Sequence, residues 1–77
     1  MKIKVIVTLK KGVLDPQGKA IQQTLNGMNF NNVEEVRQGK FFEIEVNESN
    51  ETKAKSLVDD MCKKLLANLV IEDYKIV

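Results

Sequence analysis

Histidine and tryptophan are absent from this chain, cysteine and proline occur once each, and the aromatics are limited to three phenylalanines and one tyrosine. Without histidine there is no imidazole base to activate a nucleophile. With only Cys62 beside that absence, the ligand set of a zinc site is missing as well. A single cysteine also rules out an intrachain disulfide. There is no excess of either charge: 12 basic and 11 acidic residues leave a formal net charge of +1. That near-balance lacks the basic footprint of a general nucleic-acid binder. No apolar run approaches the roughly 20 residues that span a bilayer, and the N-terminus has no signal-peptide apolar region. The chain is therefore expected in the cytoplasm, with neither a membrane nor a nucleic acid as partner. Free Cys62 agrees with a reducing compartment.

What remains is enough for one domain, residues 1–77, with a thin margin of stability. A chain of 77 residues buries only about 60% of the surface it exposes when unfolded. Disulfides and metals being excluded, self-association is the remedy left to so small a core.

Residues 2–10 alternate, with Ile3, Val5, Val7 and Leu9 on one side and Lys2, Lys4, Ile6, Thr8 and Lys10 on the other. Period two predicts a strand with one buried face. The segment Gly12–Val13–Leu14–Asp15–Pro16–Gln17–Gly18 then turns the chain into a helix. Asp15 is suited to cap the N–H groups of Gln17 and Gly18, and Pro16 falls at the first helical position. Ile21, Leu25 and Met28, with Ala20 beside them, mark an inner face for a helix over about 16–28, which Asn26–Gly27 brings to a stop. Phe30 is expected in the core.

Val33–Gln38 is expected as a weaker strand, although Val33 and Val36 cannot share a face at period two. Gly39–Lys40 then predicts a hairpin turn. Phe41–Asn47 is the return strand, with Phe42, Ile44 and Val46 inward. Asn50 is the expected cap of a second helix, whose stripe is Ala54, Leu57, Val58, Met61, Cys62, Leu65 and Leu66. Asn68 is expected to close it in a left-handed conformation. Leu69–Val77 supplies the last strand.

The order β-α-β-β-α-β predicts an α+β fold of the ferredoxin-like kind: a four-stranded antiparallel sheet with both helices on one face. The opposite face should then be polar. Instead Ile6, Phe41 and an apolar set from 69–77, represented by Tyr74, are expected on it. Apolar groups that adjoin across strands mark an association surface, so the chain is expected to form homodimers through the sheet.

The pattern holds no catalytic constellation and no cofactor-binding motif. Glu34–Glu35, Glu43, Glu45 and Asp59–Asp60 occupy solvent-face positions, which lack the surroundings that tune a carboxyl for acid–base work. Cys62 lies on an apolar stripe, as a packed thiol does. Gly12 and Gly18 near Lys10–Lys11 fit neither phosphate-binding fingerprint. A copper-chaperone version of the fold would carry Cys-x-x-Cys after the first strand, and an acylphosphatase version would carry an arginine there. Neither is present. Gln38–Gly39–Lys40–Phe41–Phe42 echoes an RNA-recognition motif, but the first strand adds no aromatic. A small-molecule regulatory domain of the ACT type stays open on residues alone.

Val7–Thr8–Leu9–Lys10 followed by Gly12–Gly18 resembles the opening of the PurS family, the small subunit of phosphoribosylformylglycinamidine synthase. The likeness continues through Phe30, Val33, Val36–Arg37, Gly39–Lys40, Cys62, Leu65–Leu66–Ala67–Asn68 and Val70–Ile71–Glu72–Asp73–Tyr74. Two departures stand out: Leu69 replaces a common proline, and Met28–Asn29 replaces a Leu-Gly pair. Asn29 can still support a positive φ. The resemblance implies a non-catalytic partner of a glutaminase subunit and an ATP-dependent synthetase subunit in purine biosynthesis. Glutamine-derived ammonia would pass to formylglycinamide ribonucleotide, with ATP and magnesium bound on the synthetase subunit and no cofactor on this chain. The residues expected to meet those partners are Asp15, Pro16, Gln17 and Gly18, with Arg37 and Lys40.

Overall fold

The computed structural model describes residues 1–77. Strand β1 (Lys2–Leu9) leads to helix α1 (Pro16–Gly27), strand β2 (Gly39–Glu45), helix α2 (Glu51–Met61) with a π-helical turn at Cys62–Leu66, and strand β3 (Glu72–Ile76). The sheet has three strands in the order β2-β1-β3, antiparallel throughout. Burial along β1 alternates as period two requires: Ile3, Val5 and Val7 are buried and their neighbours are not.

The core joins that face of β1 to α2. Ala54, Val58 and Cys62 are fully buried against Val5 and Val7, with Val46 and Ala67 closing the ends. Asn50 caps α2 by accepting from the Lys53 N–H at 3.0 Å, as its sequence position predicts. The α2 stripe is wider than the sheet can cover, however. Leu57, Met61 and Leu65 are exposed. Asn68 does not take the left-handed conformation. It shapes the turn into β3 instead, its side chain accepting from Val70 N–H and its carbonyl from Ile71 and Glu72 N–H.

The expected fourth strand does not form. Residues 33–38 are extended without a ladder, and Gly39 opens β2 rather than turning a hairpin. The backbone there is claimed by α1 and its entry: Gln22 Nε2 donates to the Glu34 carbonyl at 2.8 Å, and the Gln38 N–H donates to Asp15. Satisfied by side chains, it has no need of a strand partner. Gly18 lets the segment lie this close, since a Cβ there would sit 2.1 Å from the Val36 carbonyl oxygen.

The expected burial of α1 is also overturned. Ala20 and Ile21 are exposed, as are Met28 and Phe30, and no α1 residue belongs to the core. The helix and the segment after it stand out from the sheet as an arm. The radius of gyration is 16.0 Å, against about 11.5 Å for a packed chain of this length. The turn that begins the return leg is made by Asn29 at φ 73°, the positive value its residue type tolerates.

The face of the sheet away from α2 is mostly charged. Lys2, Lys4, Glu43 and Glu45 lie on it with Asp73 and Lys75 of β3. Ile6 and Phe41, paired across β1 and β2, are its one apolar island. Tyr74 is not part of it. Paired with Val7, it lies on the α2 side, half-buried, and donates its hydroxyl to Asp59 on α2. No helix is long and apolar enough to cross a membrane.

Candidate functional site

The turn between β1 and α1 and the approach to β2 are fastened to each other twice. Asp15, only 6% exposed, uses both carboxylate oxygens: Oδ1 accepts from Gly18 N–H at 2.9 Å and Oδ2 from Gln38 N–H at 2.7 Å. The second fastening runs the other way. Arg37 Nη1 donates to the Val13 carbonyl at 3.0 Å, and Nη2 to those of Lys10 and Leu9 at 3.1 and 3.4 Å. One residue from each segment thus grips the backbone of the other. The N–H of Gln38, then that of Gly18, holds the Asp15 carboxyl below the usual carboxylate range, with Arg37 adding to the effect.

Next to this clasp lies an open groove of about 330 Å³. Val7 and Leu9 form its floor, Pro16 and Gln17 one wall, and Lys40 and Glu72 the far side. Lys40 and Glu72 come together because Val7 pairs with Lys40 on one flank of β1 while Leu9 pairs with Glu72 on the other. Their charged atoms are 3.8 Å apart, with the Lys40 side chain 63% exposed. Such a pair contributes little to stability, so the ammonium is free to be re-partnered.

Of the six residues singled out for partner contact, Asp15, Pro16, Gln17 and Lys40 line this one groove. Gly18 is buried behind it, and Arg37 lines a second hollow with Leu14 and Glu35. Arg37 is engaged with the turn's carbonyls, and its Nε lies 3.9 Å from Glu35. Its place is structural. Gln17 is exposed and takes no part in the clasp. Gln38 and Glu72 were not singled out beforehand. Both depend on pairings between distant segments, and only the strand register could have found Glu72.

Comparison with known proteins bears on what this clasped turn belongs to. The family model described as PurS, phosphoribosylformylglycinamidine (FGAM) synthase, matches residues 2–77. The chain belongs to the PurS family. It is 55% identical over 75 residues to the PurS subunit of phosphoribosylformylglycinamidine synthase from Methanocaldococcus jannaschii, covering 97% of this chain and 90% of that one. It is 51% identical over 74 residues to the Bacillus subtilis subunit, covering 96% and 87%. The crystal structure of the M. jannaschii protein superposes with a TM-score of 0.88 over 99% of this chain and 92% of that one. A chain from the structure of PurLQS of Thermotoga maritima, 33% identical, gives 0.91 over 99% and 93%. So long a match to one family sets aside the ACT-type and RNA-recognition alternatives.

Proposed function

We propose that this chain is the non-catalytic small subunit of a cytoplasmic phosphoribosylformylglycinamidine synthase. It holds a glutaminase subunit and an ATP-dependent synthetase subunit in register, so that glutamine-derived ammonia reaches formylglycinamide ribonucleotide in purine biosynthesis. ATP and magnesium belong to the synthetase subunit. The observation that carries this reading is the double clasp at Asp15 and Arg37. It commits those ionic side chains to fixing the shape of a turn, and leaves Gln17 and Lys40 as the polar groups presented at its rim. A fixed shape with an exposed polar rim is what a docking surface needs. The Ile6–Phe41 island, ringed by charge, is of the kind that suits a second contact with a partner. The chain also pairs with itself, because its own fold leaves too much apolar surface bare.

The test is reconstitution with purified glutaminase and synthetase subunits. Adding the chain should restore glutamine-dependent synthesis, and the three should co-elute when nucleotide and glutamine are supplied. Gln17→Ala should weaken assembly with no change in thermal unfolding. Full activity of that variant at limiting concentration would remove Gln17 from the contact.

A further inference from the structure

Two bare apolar surfaces occur in this chain, and each has the form of the other's missing partner. Helix α1 carries Ile21, Leu25 and Met28 at spacings of four and three, the anchor pattern of a helix that lies in a groove. Ile21 is 42% and Met28 60% exposed. The other surface is the α2 side of the sheet, above β2. Val58 of α2 is buried against β1, and Asp59 turns toward Tyr74 of β3. At about 100° per residue, Leu57 and the neighbouring Met61 lie on the opposite flank of α2, over β2. They are 48% and 39% exposed, and Phe42 beneath them is only half-buried. This is the place a second helix occupies when a sheet carries two on one face. Here it has none.

The chain's own α1 cannot swing back to fill it. The clasp of Asp15 and Arg37, with Gly18 pressed on the Val36 carbonyl, fixes the arm pointing outward. Closing the gap within one chain would require breaking all of these contacts at once. A second copy meets no such obstacle.

We propose that the vacant half of the α2-side sheet face receives α1 of a second copy, and that the two copies exchange these helices about a two-fold axis. The proposal rests on the reading that the chain pairs with itself, and it supplies the surface. The symmetry buries each patch twice, once as helix and once as groove. By that route a chain of this size reaches the roughly 1,200–2,000 Å² of a stable interface.

Sedimentation of the full chain and two variants, Ile21→Arg and Leu57→Glu, tests this. The wild type should be dimeric at micromolar concentration. Each variant alone damages both contacts, and its dissociation concentration should rise at least about tenfold. Mixing the two variants should restore a one-to-one dimer. One of its contacts is then wild-type on both sides, and the other sets the introduced guanidinium against the introduced carboxylate. Two variants that stay dimeric alone, or two monomers that fail to combine, overturn the exchange while self-pairing stands. A monomeric wild type sinks self-pairing itself. Should either variant lose its helical circular dichroism, Ile21→Gln and Leu57→Gln carry the same mixing test with less disturbance.

Discussion

The sheet with α2 and the arm built on α1 are made from similar residues, yet they are held by different means. In the first, apolar side chains interlock: Val5, Val58 and Cys62 are fully enclosed. In the second, Ile21, Met28 and Phe30 lie open, and backbone hydrogen bonds to Asp15, Arg37 and Gln22 fix the geometry. The difference teaches that the body's stability comes from burial, whereas the arm's direction comes from a few polar contacts at its root.

The sharpest way to break the contrast is at the joint. Gly18→Val should cost about 2–4 kcal/mol in urea unfolding, because its new side chain collides with the Val36 carbonyl that the arm needs in contact. Next comes a matched pair of truncations. Val58→Ala, in the body, should cost about 2 kcal/mol. Ile21→Ala, in the arm, should stay within about 0.5 kcal/mol while the chain is monomeric, and grow costlier as concentration rises. Equal costs at low concentration would mean that the arm is buried after all.

A smaller effect separates the two regions by pH. The folded Asp15 carboxyl sits below its ordinary range, so the unfolded chain takes up the proton first as pH falls. Its stabilisation is complete above the ordinary carboxylate pKa and is lost on acidification through the lower, folded value. Thermal unfolding of Asp15→Asn between pH 6 and about pH 3 should therefore fall less steeply than that of wild type. The smallest change belongs to the surface: Lys64→Ala removes the 3.0 Å pair with Asp60 and should shift unfolding by less than about 0.5 kcal/mol.

These two regions also differ in how far the sequence announced them. The alternation of β1, the caps Asp15 and Asn50, and the positive φ of Asn29 are decided within a few residues of chain, and each was legible. The arm was not. Its helical stripe has the period of a buried face, but period says only that a face exists, not what lies against it. The one local warning was Val33 and Val36, which break period two where a strand was expected. Tyr74 was misplaced for a related reason, since a short strand's facing depends on where its ladder begins, here Glu72 rather than Leu69. Within the groove, Asp15 to Gln17 could be read from turn chemistry. Lys40 and Glu72 meet only through β1.

The wide turn at Cys62–Leu66 has its own consequence. A π-helical turn holds one residue more than the α-helical turn it replaces. Removing a single residue from positions 63–65 would tighten it into ordinary α-helix, with Cys62 still inward and Ala67 still arriving at the end of β1. Deletions elsewhere in the body would flip a strand face or rotate a helix. This short stretch is the one stitch in the hydrophobic half of the molecule that can be dropped without unravelling the rest.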